Sequence, residues 1–267
     1  MGIKTLITLD ELSAVFPCSV LIPSEHGVSD SVYFTDRGVL KIFETASLSS
    51  IQEQRTLLLA LSELPITRPI SDIFFLREKP CALYETLPGK SPESAEKTHI
   101  IQIADFMNRF HAQSAGRNSS NTRLYEPSRL QSLIAQTNYP VFQILFDSID
   151  LELSNDGVIH GDLFLDNALF DNDALSGVLD FTEACEGDFL FDLAVVAASW
   201  CLDQTPDRSK IDLLLRYYDR NIYWEEFAPY MKYALLYYAT TRYLNGRNYQ
   251  SLLQKIRLVD TLQKGFA

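Results

Sequence analysis

Val158-Ile-His-Gly-Asp162-Leu-Phe-Leu-Asp-Asn167-Ala-Leu-Phe170, followed by Gly177-Val-Leu-Asp180-Phe181, is the stretch from which the rest of the chain is best understood. An apolar pair leads into His160-Gly161-Asp162, and an apolar triplet follows Asn167. Asn172-Asp173 marks a turn, and Gly177 to Phe181 is a further short strand ending at Asp180. The polar groups therefore fall at strand ends and in a loop, where a scaffold aims them at a ligand. Asp162 and Asn167 stand five positions apart, the spacing of a phosphoryl-transfer catalytic loop with an Asp base and an Asn metal ligand. Asp180 then stands where the metal-binding Asp of such a site belongs. Asp162 is placed to accept a hydroxyl proton. Asn167 and Asp180 offer one neutral and one anionic oxygen, a set that suits Mg²⁺ shared with nucleotide phosphates. A hydrolytic metal site on His160, Asp162 and Asp180 is a weaker fit, because the other histidines, His26, His99 and His111, lie far off in the chain.

Bulk properties narrow the class. The 267 residues allow one large domain or two lobes, and 46% hydrophobic residues are enough for a packed core. A formal net charge of −12 argues against broad binding to nucleic acid or anionic membranes. Cys18, Cys81, Cys185 and Cys201 form no CxxC pair and are expected as reduced, mostly buried thiols. No apolar run is long enough to span a bilayer, and Met1 to Thr5 lacks the pattern of a secretory signal. The expectation is a soluble, cytoplasmic protein.

Outward from the central stretch, strands dominate first and helices later. A short helix is expected near residues 10–16 with Asp10 as its cap, then a strand over 19–22. Val32 to Thr35 and Val39 to Phe43 form a hairpin around Asp36-Arg-Gly38, with Lys41 in its second strand. Lys41 is either a solvated strand lysine or a group that reaches nucleotide phosphates. Ser47 to Leu64 predicts a helix capped by Ser49 or Ser50. Glu53, in its first turns, either favours the helix N-terminus or holds Lys41 in an ion pair, with Glu44 as the competing partner. A second hairpin is expected over Asp72 to Glu85. A lobe boundary falls at about residues 86–94, giving a β-rich region over 1–88 and a helical region over 89–267. Helices are expected over 94–114, with His111 as a core or capping residue, and over 127–137, 140–153, 190–202, 209–221, 224–244 and 250–264. The tyrosines of 224–244 have the spacing of a packing face, and no ligand role is assigned to them.

His160-Gly-Asp-Leu-Phe-Leu-Asp-Asn167, Leu179-Asp-Phe181 and Gly187-Asp-Phe-Leu-Phe-Asp192-Leu-Ala194 resemble, in order, the signature blocks of the aminoglycoside phosphotransferase and choline kinase superfamily. That resemblance implies an α+β, two-lobed, protein-kinase-like fold, with a small β-rich N-terminal lobe and a larger, mainly helical C-terminal lobe. It implies ATP and Mg²⁺, with Asp162 as catalytic base and Asn167 and Asp180 on the metal. It places Lys41, Glu53, Ser29, Glu85 and Leu87 around the nucleotide, and makes His160, Asp192 and His111 structural supports. Within the superfamily the chain is most similar to the second type of homoserine kinase, through Asp162 to Phe170, Ala184-Cys185, Phe191 to Val195 with Trp200-Cys201, and Arg242-Tyr-Leu-Asn-Gly-Arg247. The implied reaction is O-phosphorylation of L-homoserine, a step of threonine biosynthesis. Homoserine is a zwitterion, so Arg242, with Arg247 behind it, is the candidate for its carboxylate, and Glu183 the candidate for its ammonium. Glu183, Glu186 and Asp188 together also suit a more cationic acceptor, such as an aminoglycoside, choline or another amino alcohol. A kinase-fold binding protein without catalysis is the alternative of another class, and a protein kinase is disfavoured because no Ala-Pro-Glu-like segment follows Asp180. The expected partner is a small hydroxyl compound, with no nucleic acid and no membrane.

Overall fold

A computed structural model describes residues 3–24, 30–119, 121, 123–202, 208–218 and 221–264. The first third is built on a five-stranded antiparallel sheet. Its strands are β1 (Ile22–Pro23), β2 (Ser31–Thr35), β3 (Gly38–Ile42), β4 (Phe74–Leu76) and β5 (Lys79–Tyr84), in the order β1-β2-β3-β5-β4. Two helices flank it, α1 (Leu9–Ser13) and α2 (Leu48–Ala60). The expected caps are corrected by one turn or less. Thr8 caps α1 in a reciprocal box with Glu11, and Ser47 caps α2 through the Ser50 N–H. Each works because it stands in extended backbone just before the first helical residue, with its oxygen aimed at an orphan donor.

Alternation along β3 gives the sheet two unlike faces. Leu40 and Ile42 lie opposite Leu83 and Cys81, and bury with Tyr33 against Ile7 and Leu12 of the N-terminal segment. Lys41 lies opposite Ala82, and with Phe43 and Tyr84 this face turns toward Ile51 and Leu58 of α2 and the helical region. Glu44, just past β3, is buried on Ser31, Thr5 and Lys79, and this holds its carboxyl below the usual range against the cost of burial.

The remainder is mainly helical: α3 (Lys97–Ser114), α4 (Pro127–Thr137), α5 (Pro140–Asp147), α6 (Phe189–Val196), α7 (Arg208–Tyr217), α8 (Trp224–Leu244) and α9 (Gln250–Lys264). Helix α5 is shorter than its expected span. After it, Ile149, Leu151 and Leu153 alternate and pack on the core from a segment that is neither helix nor strand. Helix α6 passes into a π-helical turn over Ala197–Cys201. Between the sheet and the helices lie two small antiparallel pairs, β6 (Gly157–Ile159) with β9 (Cys185–Gly187), and β7 (Ala168–Asp171) with β8 (Ala174–Val178). Asn172 and Asp173, both in left-handed backbone, make the β7–β8 turn. These pairs sit on a core that includes Phe106, Phe110, Phe181, Phe191 and Trp200, and they set the position of the polar stretch between them. Cys81, Cys185 and Cys201 are buried and Cys18 is half-buried, all as free thiols. Among the described residues, no helix is long and apolar enough to cross a membrane.

Candidate active site

Strand β6 ends at Ile159 and hands the chain to His160, which is fully buried. Asp192, in the first turn of α6 and also fully buried, accepts the His160 N–H and the Gly161 N–H, both at 2.8 Å. Its carboxylate also meets His111 Nε2 at 3.0 Å, and these donors hold its carboxyl below the usual range despite burial. The His111 ring stacks on Phe189 and bonds the Tyr218 hydroxyl through Nδ1. His111 of α3, Asp192 of α6 and His160 after β6 are thus tied together by hydrogen bonds.

The His160 ring joins the two halves of the site. Its Nδ1 accepts the Asp162 N–H at 3.2 Å, so its proton lies on Nε2, which bonds the Leu179 carbonyl at 2.9 Å. The residue after Leu179 is Asp180, in left-handed backbone at φ 55°. A non-glycine residue there is strained by about 1–3 kcal/mol and persists only where its surroundings enforce it. The enforcing contacts come from Lys41, whose Nζ meets Asp180 Oδ1 at 2.8 Å and Thr182 Oγ1 at 2.7 Å. That ammonium drives the Asp180 carboxyl far below its ordinary value against the cost of burial, and Asp180 in turn helps hold Lys41 protonated.

The partner expected for Lys41 differs. The described carboxylates on Lys41 Nζ are Asp180 and, at 3.0 Å, Asp30 Oδ2. Neither Glu53 nor Glu44 is among them. Glu53 lines a cavity of about 430 Å³ with Gln52, Thr56, Arg117, Asn121 and Ala184. The hairpin register explains the substitution: Ser31 pairs with Ile42 and Val32 with Lys41, so Asp30 sits one step on, beside the lysine's own strand. Glu53 must instead reach across from α2. Ser29 lies outside the described residues.

Asp162 has the opposite environment. Asn167, on a single 3-10 turn, donates Nδ2 to the Asp162 carbonyl at 2.7 Å and to its carboxylate at 3.3 Å. Its amide oxygen is therefore turned away from Asp162 and offered to the site. Trp200 Nε1 donates to the Leu163 carbonyl at 3.0 Å, and Tyr238 donates its hydroxyl to the Gly161 carbonyl. Burial, followed by the charges of Glu183, Asp180 and Asp166, pushes the Asp162 carboxyl up to about 8. Gly161, at φ 79°, has no room for a side chain: a Cβ there would stand 2.5 Å from the Tyr125 ring.

Tyr125 donates its hydroxyl to Glu183 Oε2 at 2.6 Å, and Tyr233 donates to the Tyr125 carbonyl at 2.7 Å. Glu183 is otherwise exposed beside Asp162's loop. The carboxylates expected to join it are committed elsewhere. Glu186 bonds Arg123, Asn155 and the Ser119 N–H, and buried Asp188 caps α6 and accepts from Ser154 and Tyr230. Arg242, half-buried one turn beyond Tyr238 on α8, lies over the Phe164 ring at 5.9 Å, and Phe164 packs edge-on against Tyr238. Among the described residues no carboxylate pairs with Arg242. Arg247 is exposed past the end of α8, and its N–H bonds the Arg242 carbonyl. Glu85 and Leu87 follow β5 in the segment leading to α3. Glu85 faces Arg68 at 3.9 Å, and Leu87 fills the space left by Gly177, where a Cβ would stand 2.2 Å from its Cδ1.

Sequence reading missed Asp30, Thr182, Tyr125 and Tyr238. Only Tyr238 carried a signal, its i, i+4 spacing with Arg242 on one helix face. Among the described residues no group of three or more His, Cys, Asp or Glu is arranged to hold a metal by protein ligands alone.

A β-rich lobe bearing a buried lysine, facing a helical lobe bearing this loop, defines a protein-kinase-like phosphotransferase. The chain belongs to the APH phosphotransferase enzyme family, whose model matches residues 20–230, and it is a small-molecule kinase. Among curated relatives, it is 30% identical over 229 residues to the homoserine kinase of Methylobacillus flagellatus, covering 76% of this chain and 72% of that one. It is also 30% identical to the homoserine kinase of Cupriavidus necator, covering 72% and 69%. Similar solved structures include a mutant aminoglycoside 2'-phosphotransferase-IIIa in its GDP complex, with TM-score 0.70, 13% identity, and coverage of 96% of this chain and 97% of that one. Another is aminoglycoside phosphotransferase APH(4)-Ia with ADP and hygromycin B, with TM-score 0.60, 15% identity, and coverage of 98% and 100%. At these identities the solved structures speak to the fold.

Proposed function

We propose that the protein transfers the γ-phosphoryl group of ATP to the hydroxyl of L-homoserine. The observation that carries the acceptor is the pair of opposite charges at the loop that bears Asp162: Glu183, whose charge acts on Asp162, and Arg242, over the Phe164 ring and without a carboxylate partner among the described residues. A zwitterion with a hydroxyl between its charged ends matches that pattern, and curated relatives at 30% identity carry the name homoserine kinase. Arg242 takes the acceptor carboxylate, with Arg247 adding charge behind it, and Glu183, fixed by Tyr125, takes the ammonium.

Asp162 is the general base. In the transfer the hydroxyl oxygen forms its bond to the γ-phosphorus, the bond from that phosphorus to the bridging oxygen of ADP breaks, and the hydroxyl proton passes to the Asp162 carboxylate. Burial and the charges of Glu183, Asp180 and Asp166 push the Asp162 carboxyl up to about 8. An ammonium arriving at Glu183 offsets that repulsion and lowers its pKa, so the base is released as the acceptor binds. Lys41 binds nucleotide phosphate from the sheet side, and the segment with Glu85 and Leu87 borders the nucleotide. Asp192 and His160 are positioning residues, one bracing the catalytic loop from below and the other tying it to Asp180.

The residues present fit a hard divalent cation. Among the described residues nothing donates to the Asn167 amide oxygen, Asp180 is held ionised, and two protein oxygens would leave the remaining positions to phosphate and water. Asn167 and Asp180 would hold Mg²⁺, which when bound supplies charge neutralisation on the phosphates.

The test is an acceptor panel with coupled ADP detection: L-homoserine, choline and an aminoglycoside, each with Mg·ATP. Turnover on L-homoserine above the others is expected. ADP formed only with choline or the aminoglycoside would refute the acceptor and keep the reaction.

A further inference from the structure

We infer that Asp30 is the carboxylate that holds Lys41 in place while nucleotide is bound, the positioning task first expected of Glu53. This rests on Lys41 being a phosphate-binding lysine. An ammonium has three donors. Two are donated, to Asp180 Oδ1 at 2.8 Å and Thr182 Oγ1 at 2.7 Å, and Asp30 Oδ2 stands 3.0 Å from the same nitrogen as an ion-pair partner. A phosphate oxygen that takes one of them must displace a partner.

The two carboxylates differ in what they lose by letting go. The Asp180 side chain is 40% exposed, so it has water and an incoming cation to turn to. The Asp30 side chain is 6% exposed, and its Oδ2 has no hydrogen-bond partner among the described residues and only the ion pair with the facing ammonium. Stripped of Lys41, Asp30 would be an uncompensated buried charge. Its Oδ1 is also fixed by the Glu44 N–H at 3.0 Å, which ties it to the end of the lysine's own strand. Asp180 is therefore the partner that yields and Asp30 the one that stays. Because Asp30 and Lys41 ride on the same hairpin, their pairing survives any shift of α2 or of the helical region.

Asp30→Asn tests this cleanly, since it keeps an oxygen for the Glu44 N–H and removes only the charge. Mg·ATP affinity is measured by calorimetry on the full chain without acceptor. The dissociation constant is expected to rise roughly ten-fold, within the range for coupled charged neighbours, with the loss falling on KM for ATP more than on kcat. In a Lys41→Met background the same substitution should add less than about two-fold, because its effect passes through the lysine. Glu53→Gln should leave the affinity within about two-fold. Unchanged affinity in Asp30→Asn, or an equal loss with and without Lys41, overturns the assignment to Asp30 while leaving the nucleotide site standing. If the unaltered protein binds no Mg·ATP, the reading of Lys41 itself fails. Asp30→Ser, which also keeps an acceptor near the Glu44 N–H, carries the same comparison if Asp30→Asn folds poorly.

Discussion

Asp180 and Asp162 stand at the ends of neighbouring short strands, are bridged by the His160 ring, and are driven in opposite directions. On the sheet side, Asp180 meets the Lys41 ammonium and Thr182 and is held far below its ordinary value. On the helical side, Asp162 has burial and the charges of Glu183, Asp180 and Asp166 around it, and is pushed up to about 8. Two identical side chains are thus driven apart, one held ionised and the other pushed toward neutral pH. Separation of pKa values is how a site assigns ligand and base roles among like groups. The difference comes from which element faces each carboxylate, since both are partly shielded from water.

The largest effect expected from breaking this contrast is in Asp162→Asn, which removes the proton acceptor and keeps the shape. Its kcat should fall about 10²–10⁴-fold, with little change in KM for ATP, in an ADP-coupled assay. A fall below ten-fold would mean that Asp162 does not take the proton.

Lys41→Met attacks the other side. It leaves the Asp30 and Asp180 carboxylates without their shared cation, and denaturant unfolding should show a loss of about 3 kcal/mol. That figure lies at the low end for a buried pair because Asp180 is part exposed and water screens it. Unchanged stability would show that the Lys41 contacts are incidental.

Arg242→Ala sharpens the acceptor side alone. KM for L-homoserine should rise about ten- to hundred-fold, or roughly 1.4–2.7 kcal/mol, while KM for ATP holds. A parallel rise in both would place Arg242 outside the acceptor site.

The smallest effect concerns pH. The folded protein holds a proton on Asp162 that the unfolded chain sheds near pH 4. Between about pH 4 and pH 8 the native state therefore binds more protons, and stability falls as pH rises through that window. Asp162→Asn lacks this loss. Without nucleotide or metal, it should match the unaltered protein in thermal unfolding at pH 4 and exceed it by about 1–2 kcal/mol at pH 8.5, after discounting for solvent at a half-exposed group. Equal stabilities at both pH values would mean that the neighbours do not repel Asp162.

Legibility followed distance along the chain. The β7–β8 turn at Asn172-Asp173, the hairpin around Asp36-Arg37, and the placement of Asp162 and Asn167 on one loop rest on contacts a few residues apart, and local spacing carries them. The helix past residue 147 did not follow, because Ile149, Leu151 and Leu153 pack instead on a core built by distant elements. The same limit hid the roles of Glu186 and Asp188. In sequence they join Glu183 as a run of acid, but Arg123 and the N-terminus of α6 claim them.

By itself, the sequence determined the order of chemical groups: a strand lysine, then a His-Gly-Asp loop with Asn five residues on, then Asp-Phe after a strand. Those are matters of spacing, and any fold that closes the chain inherits them. The tertiary structure alone decided that Asp30 stands on Lys41, that Tyr125 and Tyr238 wall the loop at Gly161, and that one aspartate is ionised while its neighbour resists ionisation. A carboxylate's charge depends on the groups within a few ångströms of it, and here those groups arrive from residues as far away as 41 is from 180.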